Sequence, residues 1–350
     1  MTPLQKISTL LEPGLVSILI PTFNNEALIA SFLKSILEQS YKHIEIVISD
    51  NNSDDKTLNI VEKTDLGSVP VRIYRTKLNV GALANFSSLL SLARGEFSCI
   101  FPVGDNFSDN FIAEMVANIN LGGSHVMCVP KIEINLGQTR VYSVEYKAKT
   151  KSFLNLDNTL FRYKYALKNT AGLSLYSLMR TESAQKCLPI PIIRGGDVSF
   201  LRLLSSIGTI ACTRKTTFSY SARPNWNTRE QDDEFFFGDD PSHKPKNERW
   251  FEKSSLIMSR VESDRLFKLT QSVSIRLASL LLSFQHELRL VLKRLIAQAC
   301  YALLPNKLRE KLVTSIYLKV WAPSFYSEIN QSVFFSREVK PVFRIKEING

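Results

Sequence analysis

Acidic and amide side chains stand at two points of the chain where a run of apolar residues stops. Asp50 ends one such run and opens a polar loop, and Asp105 follows another with Asn106 directly after it. Carboxylate and amide oxygens are the ligands that Mg2+ or Mn2+ prefers in proteins. A divalent ion held in this way neutralises phosphate charge. These residues are therefore suited to chemistry on a phosphorylated substrate.

The elements around the first of these points read as a βαβ unit. Leu15–Ile20 is an unbroken, β-branched run typical of a strand buried on both faces. A helix with one apolar face is predicted from about Glu26, with Asn24 or Asn25 as its cap, and His43–Ser49 returns as a second strand. Both turns then open at the carboxyl edge of a parallel sheet, where α/β folds bind their ligands.

The same alternation continues to about residue 110. Val71–Thr76 and Glu96–Phe101 are predicted as the third and fourth strands, and the helix between them starts after Gly81. The first strand is followed by neither a glycine-rich dinucleotide fingerprint nor a P-loop. Phosphates would have to be held in another way, and a divalent metal on carboxylates meets that need.

Four segments in this order resemble the signatures of family 2 glycosyltransferases, which are nucleotide-sugar-dependent enzymes with the GT-A fold. They read PTFNNE at 21–26, SDNNSDDKT at 49–57, NVGALANFSSLLSLARGEF at 79–97 and GDN at 104–106. A fifth segment, Gly196–Leu201 followed by Ile207–Ile210, is similar to the helix start that carries the family's catalytic base. The resemblance implies an α/β fold of the GT-A type, with a mostly parallel open sheet flanked by helices.

The resemblance also implies roles for individual residues. Those that would hold the nucleotide sugar are Pro21, Thr22, Asn24, Glu26, Asp50, Asn52, Asn79, Gly81, Gly104 and Asp105. Within this set, Asp50 would bond the base. Asp105 would be the carboxylate of the D-x-D-type motif that holds Mg2+ or Mn2+ on the diphosphate. Asp197 would be the catalytic base that removes the proton from the acceptor hydroxyl.

Elementary chemistry asks for the same two carboxylates. Breaking a sugar–diphosphate bond requires that the charge of the leaving group be neutralised. The attacking hydroxyl requires a carboxylate base on the opposite side of the anomeric carbon. Attack from that side inverts the anomeric configuration in one displacement. Asp105 and Asp197 are the residues that fit these two positions.

The sequence departs from the family pattern at three positions. Val103 and Asn106 stand where many relatives have acids, and Gly196 stands where relatives often have Glu. One alternative is therefore a catalytically silent GT-A-like protein that binds nucleotide or scaffolds a complex. Another is a sugar nucleotidyltransferase, which would need a basic, glycine-rich phosphate loop that is not found near the N-terminus. For Asp197, the alternative role is a helix cap.

The last hundred residues change in character. We predict a catalytic domain over residues 1–250 and a helical, basic region over residues 251–350, in which apolar residues recur at helical spacing from Leu277 onward. Between Arg265 and Lys319 there are ten Lys or Arg and two Glu, a net charge of +8 out of +11 for the chain. Basic amphipathic helices suit an anionic membrane surface. The alternative is a helical cap on the catalytic domain. Nucleic acid is not a predicted partner, since no recognised binding motif accompanies the charge.

Cysteine usage indicates the compartment. The five cysteines are scattered and include no C-x-x-C pair, which favours a reducing environment and argues against a structural zinc site. The N-terminus lacks the long apolar region of a signal peptide. The predicted location is therefore the cytoplasm, with peripheral association at the cytoplasmic face of the inner membrane.

A charged and aromatic stretch, Arg223–Arg249, is predicted to be either an active-site lid or a solvated linker. The function predicted from all these features is an inverting, metal-dependent, non-processive glycosyltransferase of cell-surface polysaccharide biosynthesis. It would move a sugar from a nucleoside-diphosphate donor to a saccharide or lipid-linked saccharide acceptor.

Overall fold

Strands and helices alternate through residues 10–120 of a computed structural model. The structure describes residues 10–135, 141–146, 159, 162–164, 166, 172–193, 195–221, 234–239, 262–266, 268–271, 275–285 and 343–348. The strands are β1 (Glu12–Thr22), β2 (Ile44–Asp50), β3 (Val71–Arg75), β4 (Gly95–Ile100), β5 (Asn106–Phe107), β6 (His125–Asn135), β7 (Val141–Tyr146), β8 (Leu178–Arg180), β9 (Thr209–Ser221) and β10 (Phe343–Ile348). The helices are α1 (Ile29–Leu37), α2 (Thr57–Lys63), α3 (Ala82–Leu92), α4 (Phe111–Ile119), α5 (Thr181–Lys186) and α6 (Gly196–Ile207), with a 3-10 helix over Gly172–Tyr176. Further helical runs cover residues 234–237, 262–266, 268–270 and 275–285.

The described strands form one sheet, in the order β10-β7-β6-β8-β4-β1-β2-β3. The four strands β1 to β4, at one end of this order, are parallel to one another. β1 lies between β2 and β4, and β3 pairs with β2. β8 runs antiparallel to both β4 and β6. β9 is parallel to β6 and antiparallel to the short β5. The parallel half brings the carboxyl ends of β1, β2 and β4 to one edge, as the sequence predicts.

The core follows from the apolar pattern of these elements. Residues 15–20 of β1 and the whole of β2 are buried. α1 covers them with one face, formed by Ile29, Phe32, Leu33 and Ile36. The same continuous cluster of buried side chains includes Leu266 of the helical run 262–266. Part of the C-terminal region thus packs into the core of the sheet.

Two local predictions differ from the structure. α1 begins at Ile29, not near Glu26, and no side chain caps it. The reason is that the Asn25 carbonyl oxygen Oδ1 accepts hydrogen bonds from the Thr22 hydroxyl and the Phe23 N–H, and so faces away from the helix. The C-terminal region contains a strand as well as helices, because β10 pairs antiparallel with β7.

The predicted division into domains at residue 250 falls outside the described residues and stays a prediction. In the part of the chain that the structure describes, no helix is long and apolar enough to cross a membrane. The four described cysteines, Cys99, Cys128, Cys187 and Cys212, are free thiols.

Candidate active site

The turns after β1 and β2 are joined by reciprocal hydrogen bonds. Three backbone N–H groups of the first turn donate to side chains of the second: Asn24 to Ser53 Oγ (2.9 Å), Asn25 to Thr57 Oγ1 (2.7 Å) and Glu26 to Asp55 Oδ2 (3.0 Å). Two N–H groups of the second turn donate back: Asp54 to Asn24 Oδ1 and Lys56 to Glu26 Oε2, both at 3.0 Å. The two turns therefore form one preorganised unit, and the predicted ligand residues Asn24 and Glu26 also hold it together.

Backbone conformation explains two of the asparagines. Asn24 and Asn52 lie in the left-handed region, with φ of 51° and 65°. Asparagine tolerates this region better than most residues because its short polar side chain can hydrogen-bond locally. The geometry of the turns thus favours asparagine at both positions, in addition to the ligand contacts predicted for them.

Asp50 lies fully buried beneath the second turn. Its carboxylate accepts hydrogen bonds from the Ser53 hydroxyl and from the Ser53 N–H at 3.3 Å, and it lies 3.4 Å from Nε of Arg75. Arg75 and Thr22 are its neighbours in register on β3 and β1. In this arrangement Asp50 fixes the turn that follows it, and its contact with a base stays a prediction.

Asn79 and Gly81 join the second turn to the start of α3. Oδ1 of Asn79 accepts hydrogen bonds from Nδ2 of Asn51 (2.7 Å) and from the Gly81 N–H (3.0 Å). Gly81 has a φ of 78°, and a Cβ on it would lie 2.4 Å from the carbonyl oxygen of Phe236. Both the conformation and the close approach require glycine.

Residues 234–239 lie across this loop. The Asp239 N–H donates to the Asn79 carbonyl oxygen at 2.7 Å, and a Cβ on Gly238 would lie 2.4 Å from the Gly81 nitrogen. The neighbouring Phe237 is fully buried. The described part of the lid-or-linker stretch therefore packs directly on the candidate site, which favours a role at the site over a solvated linker. The rest of that stretch lies outside the described residues.

Asp105 ends the turn that follows β4. Gly104 before it has a φ of 96°. The Asp105 side chain is 8% exposed, and its Oδ1 accepts a hydrogen bond from the Ser221 N–H at 2.8 Å. The next residue, Asn106, is exposed and pairs with Ser219 between β5 and β9. One carboxylate and one amide oxygen thus stand side by side on the chain.

This donor set fits a divalent ion that is only partly held by protein. In the described ranges, no three His, Cys, Asp or Glu side chains converge as a metal site of their own. Mg2+ is usually bound through one or two carboxylates, with substrate phosphates and water as its remaining ligands. Asp105 with Asn106 is compatible with that arrangement.

Asp197 lies in the first turn of α6, and the cap position belongs to Gly195, which has a φ of 77°. Asp197 is therefore not the cap residue. Its Oδ2 would lie 2.5 Å from a Cβ on Gly172, so the glycine of the 3-10 helix makes room for the carboxylate.

The surroundings of Asp197 alter its acidity. Burial raises the pKa of Asp197 above the ordinary carboxyl value, and this is partly offset by hydrogen bonds from the N–H groups of Val198 and Asp197 and by the charge of Arg202. A carboxylate with a raised pKa is a stronger base, which suits the predicted role.

Packing explains the glycine before Asp197. A Cβ on Gly196 would lie 1.9 Å from the carbonyl oxygen of Pro191 and 3.1 Å from Cδ1 of Leu83, near the start of α3. No larger residue fits in this arrangement. The departure from the family's usual Glu is therefore a consequence of how closely α6 packs here, and the start of α6 lies beside the helix that follows the Asn79–Gly81 loop.

Sequence reasoning missed several residues that build the site. Arg75 was predictable as a partner of Asp50, since it is the last residue of β3 and lies opposite Asp50 in the register of the two strands. Ser53 and Thr57 belong to a recognised polar loop, but their spacing does not say which N–H groups they accept from. Gly172, 25 residues before Asp197 in the chain, gave no signal.

Comparison with known proteins gives a family match and several relatives. Residues 17–185 match the model described as glycosyl transferase family 2. The chain is 29% identical over 126 residues to the GalNAc(5)-diNAcBac-PP-undecaprenol beta-1,3-glucosyltransferase of Campylobacter jejuni, which covers 35% of this chain and 41% of the relative. It is 28% identical over 193 residues to the abequosyltransferase RfbV of Salmonella typhimurium, which covers 54% of this chain and 52% of the relative. The chain thus spans about half the length of these relatives, or less.

Among solved structures, the fold is similar to that of S. aureus TarS 1–349 in complex with UDP-GlcNAc. The TM-score is 0.54 at 16% sequence identity, and the match covers 87% of this chain and 81% of that one. At this identity the likeness concerns the fold alone. It confirms the predicted α/β architecture of the GT-A type.

Proposed function

We propose that the chain is an inverting, non-processive glycosyltransferase, since residues 17–185 match the model of glycosyl transferase family 2. It moves a sugar from a nucleoside diphosphate to a saccharide or lipid-linked saccharide in cell-surface polysaccharide biosynthesis. The observation that carries the proposal is the joined pair of turns after β1 and β2 at the carboxyl edge of the parallel strands. The names of the curated relatives, one of which includes a PP-undecaprenol acceptor, support the substrate classes.

The proposed division of labour uses two carboxylates. Asp105, with Asn106 beside it, would hold Mg2+ or Mn2+, and the ion would supply neutralisation of the negative charge on the leaving diphosphate. Asp197 accepts the proton of the attacking hydroxyl. Asp197 lies beyond the residues that match the family model, so its role rests on its position at the start of α6, its partly buried carboxylate and its raised pKa.

Two departures from the family pattern have a packing explanation, which weakens the case for a silent relative. Gly196 is required by the close approach of Pro191, and Val103 is 7% exposed and belongs to the apolar core. Neither position is free to carry an acid in this packing. We therefore assign the chemistry to the carboxylates that remain.

An outward apolar face supports the proposal of a membrane-associated enzyme. The helix over residues 275–285 buries Ser279 and Ser283. Its exposed side chains include Leu277, Leu280, Leu281 and Phe284. A helical cap would be expected to turn its large apolar residues inward, whereas an amphipathic helix at a membrane turns them towards the lipid. Together with the basic composition of this region, the face fits an anionic surface at the cytoplasmic side of the inner membrane.

Turnover of a donor panel tests the activity. Incubating the protein with UDP-, GDP- and dTDP-sugars, with and without Mn2+, should give metal-dependent release of nucleotide from one donor. Nucleotide binding without release from any donor would support the silent alternative. Formation of a nucleotide sugar from a nucleoside triphosphate and a sugar 1-phosphate would support a nucleotidyltransferase.

Vesicle sedimentation tests the membrane face. The double variant Leu277→Gln and Leu281→Gln changes residues that are 61% and 57% exposed, so the fold should be retained. We expect it to lose binding to anionic vesicles, while wild-type binding weakens with added salt. Leu121→Gln, at a leucine that is 81% exposed on another part of the molecule, is the matched control. Equal sedimentation of all three proteins would contradict the proposal.

A further inference from the structure

A buried polar cluster connects the helix that carries Asp197 to the C-terminal helical runs. Arg202 lies five residues after Asp197 on α6, and its Nη1 is 3.4 Å from Oε1 of Glu262. Oε2 of Glu262 accepts a hydrogen bond from the Tyr163 hydroxyl, which lies 2.5 Å from Oγ of Ser283. Tyr163, Glu262 and Ser283 are all at most 1% exposed.

The cluster gathers groups from four separate stretches of the chain. A second contact runs in parallel, since Nη1 of Arg265 donates to the carbonyl oxygen of Cys187, in the segment that leads into α6. Buried ion pairs contribute little net stability compared with apolar residues of similar volume, because both charges lose their hydration. Stability alone therefore does not account for the Arg202–Glu262 pair. Because Arg202 lies on the same helix as Asp197, the pair is placed to act on that carboxylate.

We propose that Glu262 is a positioning residue for Asp197, acting through Arg202. The carboxylate of Glu262 holds the Arg202 side chain and so fixes where α6 places its first turn. It also balances the positive charge that Arg202 presents to Asp197. This inference rests on the proposed function, in which Asp197 is the base.

The charges around Asp197 make this role measurable. Arg202 lowers the pKa of Asp197, against the larger effect of burial. The 3-10 helix Gly172–Tyr176, α3 and residues 188–193 contain no charged side chain. Three other elements that pack on α6, namely α5, β6 and β9, carry Glu182, Lys186, His125, Lys131, Glu133, Arg214 and Lys215. Among the described residues, the charge that shifts the pKa of Asp197 is that of Arg202. Glu262 contacts Arg202 and partly neutralises its positive charge. Burial and Glu262 raise the pKa of Tyr163 well above its ordinary value, so Tyr163 stays a hydrogen-bond donor over the working pH range.

The test compares two variants that change the net charge near Asp197 in opposite directions. E262Q keeps the shape of the side chain but removes its negative charge from beside Arg202, so the acid limb of the pH profile of kcat/KM should move to lower pH. R202M removes the positive charge, so the limb should move to higher pH. Each shift should be roughly 0.5–1 pH unit. The shift is smaller than that caused by an isolated charge, because Glu262 and Arg202 partly cancel each other's effect on the pKa of Asp197. In both variants kcat should fall while donor KM stays near the wild-type value.

The matched control is Glu182→Gln, which removes an exposed carboxylate on α5 and should shift nothing. Carboxyl 13C NMR titration of Asp197 gives the same two shifts without turnover. Wild-type turnover tests the proposed function separately. If the wild type shows no turnover but the pKa of Asp197 still shifts in opposite directions in E262Q and R202M, the proposed function is overturned and the charge coupling stands. Folded variants whose Asp197 titrates as in the wild type would overturn the role of Glu262. If E262Q fails to fold, an unchanged pKa of Asp197 in R202M would by itself overturn the role proposed for Glu262.

Discussion

The two sides of the candidate site are held by different kinds of contact. On the donor side, the turns after β1 and β2 are joined by hydrogen bonds between residues 29 to 32 positions apart, all within one βαβ unit and the start of α2. On the acceptor side, α6 is linked through Arg202 to Glu262, 60 positions later in the chain. Asp105, between the two sides, accepts a hydrogen bond from the N–H of Ser221, 116 positions away. The donor side is therefore a local structure, whereas the place of the base depends on how distant segments pack.

The strongest way to separate the two sides is to remove the base. Asp197→Asn keeps the size of the side chain and should lower kcat by about 10²–10⁴-fold, the usual contribution of a general base. Donor binding, measured by calorimetry, should stay at the wild-type level because the donor side is untouched. Asp109→Asn, at an exposed acid, is the control. Transfer at the wild-type rate would show that another group is the base.

Asp105 lies between the two sides, and its change should affect binding. Asp105→Asn can still accept the Ser221 hydrogen bond but loses the charge that would hold a divalent ion. We expect the Mn2+-dependent increase in nucleotide affinity to disappear, a loss of about tenfold to a hundredfold, comparable to other disruptions of metal sites. Calorimetry with UDP, GDP and dTDP, with and without Mn2+, measures it. An unchanged dependence on Mn2+ would remove Asp105 from the metal site.

Crowding the acceptor side should cost stability as well as activity. Gly196→Ala places a Cβ 1.9 Å from the Pro191 carbonyl oxygen, so we expect a loss of about 3 kcal/mol in the free energy of unfolding, at the upper end for overpacked positions. Gly123→Ala, where a Cβ would meet nothing within 4 Å, should be close to neutral. Urea denaturation of both variants makes the comparison. Equal stability would mean that α6 can move away from Pro191 at little cost.

The donor side can be loosened at a single hydroxyl. Thr57→Val leaves the Asn25 N–H without its acceptor and should lower the free energy of unfolding by about 1–3 kcal/mol. Nucleotide binding should weaken, while the acid limb of the activity profile stays in place. Thr57→Ser retains the hydroxyl and should recover most of the loss. If the serine variant is no better than valine, the methyl packing of Thr57 matters more than its hydrogen bond.

The smallest expected effect is on the pH dependence of stability. Burial raises the pKa of Asp197 in the folded protein, so the stabilisation by its bound proton is present below the unfolded pKa and is lost as pH rises through the folded pKa. Asp197→Asn has no such proton. The difference in free energy of unfolding, variant minus wild type, should therefore increase with pH across the acid range and then level off. A difference that falls with pH would indicate a lowered pKa.

The same contrast explains what could be read from the sequence. The fold and the donor side were predictable, because the apolar periodicity of β1, α1 and β2 fixes the βαβ unit and the polar residues lie in contiguous segments. The reciprocal bonds of Ser53 and Thr57 depend on exact loop geometry, which residue types alone do not specify. The Arg202–Glu262–Tyr163 cluster joins residues with no common period or motif, so only the packed chain brings them together.

The contact of residues 234–239 with the Asn79–Gly81 loop has a consequence for how ligand binding could be observed. The Asp239 amide is shielded from solvent exchange while it donates to the Asn79 carbonyl oxygen. A ligand that binds the loop only in this joined form stabilises that form by RT ln(1 + L/Kd), where L is the free ligand concentration. Hydrogen–deuterium exchange at this one amide would then slow by the factor 1 + L/Kd, so that its rate at a known ligand concentration reports the ligand's affinity.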